Sequence, residues 1–298
     1  MNQRRWTLTR YNGKEVRDAL LFLLPAIAII TIFVAWPGAK LFYFSLTDLK
    51  LMGRGQFVGL NNFTKILGSS SFMDSVSATL QFMVVVVILQ TSLALGSAVI
   101  LNHETQGIRT IRSILFVPVV LSFVVVGYIW RGMYNADYGL VNGLLSSLGI
   151  PKQGFLDDGS QALGSLIFAC IWKTWPFFMM IFIAGLKDIP ISIHESALID
   201  GAGPIRRFVS LTLPMLKRTL LFVVVITTMD SVVKVFVPVY VMTSGGPMGS
   251  TDMLVHRTWR TAFRLGKFGE ASAMAVLLFL FVLLINLIQL KMGERSDD

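Results

Sequence analysis

Six apolar stretches, each long enough to cross a hydrocarbon layer of roughly 30 Å, recur along the chain and constrain its fold more than any other feature. Residues 19–39, 75–102, 113–130 and 271–290 contain no Asp, Glu, Lys or Arg. The fourth stretch, about 162–186, is interrupted by Lys173, and the fifth, about 213–242, contains Asp230 and Lys234. The fold class this predicts is all-α: a polytopic membrane protein with six transmembrane helices over about 19–46, 75–102, 111–133, 162–186, 213–242 and 270–291. These form one domain, 19–291, between an N-terminal tail, 1–18, and a C-terminal tail, 292–298.

Composition agrees. With 54% hydrophobic and 14% charged residues and a mean hydropathy of +0.68, a chain of 298 residues has too little polar surface to cover a soluble globule. One cysteine, Cys170, excludes an internal disulfide and a zinc site built from several thiolates; it reads as a small apolar residue within a span. The formal charge of +9 is accounted for by topology and anionic lipid, without nucleic acid as a partner.

Six crossings place both termini on one side, and Arg4, Arg5, Arg10, Lys14 and Arg17 in the first tail assign that side to the cytoplasm. Arg109 and Arg112 fall there as well. Arg257, Arg260, Arg264 and Lys267 land on the other side and make the bias modest. The first apolar stretch follows a basic region, as a signal sequence does, but its uncharged run is longer than a signal core and residues 36–38 form a poor cleavage site. It is expected to be a retained helix. The outer segments, about 47–74 and 131–161, are rich in Gly, Asn and Asp and read as ordered loops with short helices.

Between the fourth and fifth spans lies a polar insert, 190–214. Pro190 blocks continuation of the preceding span, and Ser192 with Glu195 fits a capping box, which predicts a new helix from near Ile193. Gly201 suits the left-handed turn that ends it. Pro204 suits the first turn of a second helix, running through Arg206, Arg207 and Phe208 until Pro214 interrupts it. Two helices of roughly eight residues are too short to be stable alone and need a surface to hold them. That surface could be a lipid headgroup layer met by Arg206, Arg207, Lys217 and Arg218, or a docked protein.

Glu195, Ala197, Asp200, Gly201, Ala202, Phe208, Leu213 and Pro214 match the pattern of the EAA loop of ABC importer permeases, which this insert resembles. Ser196 stands for the second Ala of that pattern and Leu211 for the usual Ile. The segments VGLNNF at 58–63, FVP at 116–118, the later YGLVNGLL, TSGGPMGST at 243–251 and FGEASAMAVLLFL at the last span resemble the carbohydrate branch of the same permeases. The resemblance implies one permease half in a bacterial cytoplasmic (inner) membrane, paired with a second homologous permease subunit. Two ATPase subunits would dock on the EAA loops, and an extracytoplasmic sugar-binding protein would deliver the cargo. It further implies that Glu195, Ser196, Ala197, Asp200, Gly201, Ala202, Arg206 and Phe208 carry ATPase coupling. ATP and Mg would then sit on the partner subunits, with no cofactor in this chain.

The residues are consistent with that division of labour. No Gly-x-x-x-x-Gly-Lys-Ser/Thr occurs, and Gly13-Lys14 and Gly266-Lys267 lack the rest of the pattern, so ATP hydrolysis is assigned to another chain. His103, His194 and His256 are spread over loops and form no expected metal or catalytic set. An ion-coupled secondary transporter, the alternative, would tend to show coupling carboxylates in its spans, where only Asp230 is available. A membrane enzyme would need a cluster of catalytic groups, and none is found.

Charged groups at mid-bilayer depth are costly unless they face protein, water or ligand, which makes Lys173, Asp230 and Lys234 functional candidates. Asp230 and Lys234 are four apart on one helix, a spacing that fits a mutual ion pair as well as ligand contact. The resemblance implies ligand contacts around Pro176 and a few turns before Gly245-Gly246-Pro247, which adds Thr174, Phe177, Thr228, Ser231 and Val235. Aromatic faces and hydroxyls suit a sugar; Trp172 and Trp175 read as packing or interfacial residues. Two lysines near the site raise an acidic cargo, sulfonated, phosphorylated or uronic, beside a neutral oligosaccharide.

Overall fold

The computed structural model describes residues 13–53 and 55–294. Arg4, Arg5, Arg10, the Lys14 side chain and residues 295–298 of the two expected tails lie outside the described residues. Among the described residues the fold is helical, with an isolated β-bridge between Thr47 and Phe57. Five helices are long and apolar enough to cross a membrane: α1 (Arg17–Ser45), α3 (Ser70–Ile100), α7 (Ala162–Lys187), α9 (Lys217–Thr243) and α11 (Phe268–Gly293). Short helices α2 (Asn61–Leu67) and α6 (Leu140–Ser147) stand in the segments 47–74 and 131–161, as their composition suggested.

The third expected span, 111–133, is not one rod. It is a pair, α4 (Gln106–Val120) and α5 (Phe123–Met133), bent by 98°. Pro118 near the end of α4 offers no amide to the preceding turn. Leu121 and Ser122 then adopt extended backbone, and the Ser122 hydroxyl accepts from Val125 N to cap the second piece. A broken helix is tolerated at membrane depth only where protein or a cavity receives its freed backbone groups.

Burial shows which spans form the centre. Leu166, Met179 and Phe182 of α7 and Val223 and Val232 of α9 are fully enclosed, and α7 packs along α3. Gly185 lets α7 and α9 close up: a Cβ there would lie 2.7 Å from Thr219 Oγ1. One apolar cluster joins Phe82, Val126, Trp130, Leu166, Val239 and Met253, and a second joins Ala94, Phe178, Phe182, Leu186 and Val223. In α1, by contrast, the most apolar window is not buried at all within the chain, and its C-terminal part alone packs, against α11.

Candidate functional site

Between the two apolar clusters the helices leave a cavity of about 220 Å³, lined from α3, α4, α5, α7 and α9. Lys173, Thr174, Phe177, Asp230, Ser231, Lys234 and Val235, all picked out by sequence, stand in its wall. Thr228 does not: its hydroxyl donates to Val224 O and accepts from Gln289 of α11, on another face of α9. A 100° step per residue separates Thr228 from the row formed by Thr227, Ser231 and Lys234. Phe82, Gln90, Val119, Phe123, Thr227 and Pro238 complete much of the wall and were not anticipated.

The charged residues of the cavity are engaged by the protein itself. Lys234 Nζ is 2.8 Å from Asp230 Oδ2, the ion pair that the four-residue spacing allows. Lys173 Nζ donates to the Val119 carbonyl at 3.1 Å and lies 4.7 Å from the centroid of the Phe123 ring. Val119 and Phe123 flank the break between α4 and α5. One ammonium thus receives an orphan carbonyl at the end of α4 and a ring face at the start of α5. The neutral polar groups form a second set: Thr174 Oγ1 is 2.7 Å from Gln90 Oε1, and Gln90 Nε2 is 3.5 Å from Thr227 Oγ1. Ser231 donates to Thr228 O.

The insert after α7 forms its helix–turn–helix, with its start displaced from expectation. Helix α8 runs Ile191–Ile199, and Pro190 occupies the cap position with no side-chain cap. Ser192 therefore lies inside the first turn and cannot act in a capping box; its carbonyl accepts from Ser196 Oγ instead. The C-terminal end follows expectation. Gly201 has φ +72°, Ala202 N donates to Ala197 O at 2.9 Å and Gly201 N to Leu198 O at 3.1 Å, a Schellman closure. Pro204 opens the next helical run, 204–215, which passes Pro214 by widening into a π turn at Phe208–Thr212.

Ala197 is buried, Ala202 and Phe208 are half-buried, and Glu195, Ser196, Asp200, Gly201 and Arg206 are exposed. Ile199 and Ile205 present 87% and 79% of their surface. Exposed apolar side chains are thus gathered around a polar turn. Close by, Glu104 pairs with Lys187 at the end of α7, with Arg109 at 3.4 Å and with Arg112 at 3.7 Å. The Lys187 contact, aided by the neighbouring arginines, holds the Glu104 carboxyl below its usual range. Helix α7 is therefore tied to the broken helix at two levels, through Lys173 at its break and, via Glu104 in the preceding loop, through Lys187 near its start, and then leads directly into α8.

At the opposite end the turn after α9 is built on Gly245, φ +86°, where a Cβ would meet the His256 ring at 2.9 Å. Beneath it the buried Asp252 carboxylate meets His256 Nδ1 at 2.7 Å and Arg257 and Arg260 at 2.9 Å each. His256 and Arg257 belong to α10 (Leu254–Trp259). Two of the arginines that weakened the charge bias thus share one buried carboxylate.

Spans around a central, largely apolar cavity that carries a few polar side chains, with an exposed elbow at one end, are the architecture of a membrane permease. The chain belongs to the family described as "Binding-protein-dependent transport system inner membrane component", whose model matches residues 18–295. It is 35% identical over 286 residues to the trehalose/maltose transport system permease protein MalF of Thermococcus litoralis, covering 96% of each chain. It is 30% identical over 277 residues to the sn-glycerol-3-phosphate transport system permease protein UgpA of Yersinia pestis, covering 93% of this chain and 94% of that one. A bacterial ABC transporter involved in the import of the acidic polysaccharide alginate contains a chain of the same fold, with a TM-score of 0.85 and 22% identity over 95% of this chain and 97% of that one.

Proposed function

We propose that this permease forms half of the translocation path of an ATP-driven importer, and that its cargo is a neutral sugar or glycoside. The relatives named above act on trehalose and maltose, glycerol 3-phosphate and alginate, so the family resemblance leaves neutral and acidic cargo open. The observation that favours a neutral one is the state of the cavity's charges: Lys234 is paired with Asp230, and Lys173 is committed to Val119 and Phe123. What remains for a ligand is a set of hydroxyls, one carboxamide and the Phe177 ring, groups suited to sugar hydroxyls and sugar faces.

Transport on this reading is driven from the elbow. ATPase subunits, carrying ATP and Mg, dock on 190–214 from the cytoplasm, where both termini also lie. Closure of the ATPase pair moves α8, the motion passes into α7, and α7 carries the broken helix and the cavity wall with it, exchanging inward for outward access. A second homologous permease completes the path, and an external sugar-binding protein supplies the cargo. An ion-coupled carrier would need a carboxylate free to exchange protons, and Asp230 is already paired.

The test is reconstitution in proteoliposomes. With its co-expressed permease, ATPase and binding protein, the chain should take up maltose or trehalose on ATP addition and leave sn-glycerol 3-phosphate outside. Uptake by the chain alone would overturn the ATP-driven reading, and preference for the phosphate would overturn the neutral one.

A further inference from the structure

Gln90 is a residue of the cavity wall that neither charge nor motif singles out. It stands in the middle of α3, in an uncharged span, with 2% of its surface exposed. A long carboxamide is expensive at that depth unless its groups are used. It offers two N–H donors and an oxygen with two lone pairs. The oxygen lies 2.7 Å from Thr174 Oγ1, whose single proton also has Cys170 O within reach at 2.8 Å. Of the donors, one reaches Thr227 Oγ1 only at 3.5 Å, the outer limit of a hydrogen bond. Thr174 lies on α7 and Thr227 on α9, so the amide stands where three spans meet. Its neighbours in the row facing the cavity, Phe82 and Val86, are apolar, which leaves the amide as the polar group that α3 contributes.

We propose that Gln90 is a specificity-determining residue of the transport path, donating an N–H of its carboxamide to a hydroxyl of the passing saccharide in place of its long contact with Thr227. The assignment rests on the neutral-sugar reading above. The chemistry is matched: a sugar hydroxyl both donates and accepts, and so does an amide, whereas the charged groups of the cavity are already engaged, Lys234 by Asp230 and Lys173 by the Val119 carbonyl and the Phe123 ring. A site built to bond one hydroxyl penalises an analogue that lacks it, because a buried donor is then left unpaired.

The experiment compares the complete importer complex in lipid nanodiscs, without nucleotide, with its Gln90→Leu variant, using saturation-transfer NMR to measure binding of maltose and of a series of its monodeoxy analogues. In the unaltered complex one deoxy analogue should bind about tenfold more weakly than maltose. In Gln90→Leu, maltose should weaken by a similar factor, and that same analogue should no longer differ from maltose. Uniform weakening of every sugar by Gln90→Leu, with a lowered unfolding midpoint, would make Gln90 a packing residue and overturn the proposal. So would unchanged maltose affinity. An unaltered complex that binds sn-glycerol 3-phosphate and not maltose, or neither, would instead remove the neutral-sugar reading and the proposal with it.

Discussion

Lys173 and Val119, 54 residues apart, are joined by a 3.1 Å hydrogen bond from an ammonium to the last turn of a helix that breaks at Leu121 and Ser122. The pairing turns a residue that looked like an anion receptor into the support of a bent helix. Removing it leaves a buried carbonyl and a ring face without their cation, a loss of about 1–3 kcal/mol. Lys173→Met is therefore expected to lower uptake at least tenfold, and equally for maltose and for an acidic glycoside. A selective loss of the acidic one, measured in the same vesicles, would return Lys173 to the role of a ligand charge.

Gly201 sits at φ +72° with open space where a Cβ would project, so substitution there strains the backbone without a clash. The cost for a β-branched residue is on the order of 1–2 kcal/mol, enough to re-aim α8 and too little to unfold the bundle. Gly201→Val should reach the membrane at normal levels, retain ATP hydrolysis in the assembled complex and lose coupled uptake. Normal transport alongside normal hydrolysis would remove the elbow from the coupling route.

Gly269 faces the opposite constraint. Its amide donates to Leu49 O at 2.9 Å, and a Cβ would fall on the Thr47 carbonyl oxygen, which is backbone and cannot step aside. Asn62 holds the same turn by donating to Ser45 O and Thr47 O at 2.8 Å each. Even Gly269→Ala should separate the end of α1 from the start of α11, seen as reduced membrane accumulation and faster proteolysis of the 47–60 segment.

Asp252 gives a pH-dependent prediction. Burial pushes its carboxyl up, but the hydrogen bond with His256 and the charges of Arg257 and Arg260 outweigh that and hold it below the usual carboxylate range. A depressed carboxyl stabilises the fold above its unfolded value, and that contribution is lost as pH falls through the lower folded value. Asp252→Asn should lower the stability of the outer end by on the order of 2 kcal/mol throughout pH 5–8. The gap between variant and parent should close only below about pH 4. Thermal unfolding of the complex across that range measures it; a gap that closes near neutrality would assign the effect to a different group.

Much of this was legible along the chain. Long, predominantly apolar runs produced α1, α3, α7, α9 and α11 at nearly the expected limits, because in lipid a helix satisfies its backbone without help from neighbours. Gly201 and Pro204 fixed the elbow through local backbone preference alone. The capping box at Ser192 failed because Pro190 itself took the cap and drew Ser192 into the helix. Gln90 escaped notice because amphipathic periodicity fades in a span whose outer face meets lipid and is as apolar as its inner one. The residues at 82, 86, 90, 94 and 98 do repeat at a four-residue spacing on the buried side of α3, a signal visible once that side is known.

The sequence by itself determined the membrane setting, the limits of most spans, the polar elbow between the fourth and fifth, and seven residues of the cavity wall, since these depend on transfer to lipid and on short-range geometry. Tertiary structure decided what those residues do. Whether Lys173 meets a ligand or a carbonyl, whether Asp230 is free or paired, and whether Thr228 faces the cavity or α11 depend on which helices lie alongside and how they are rotated. Spacing along one helix gives the relative angles of its side chains; only packing gives the direction in which they point.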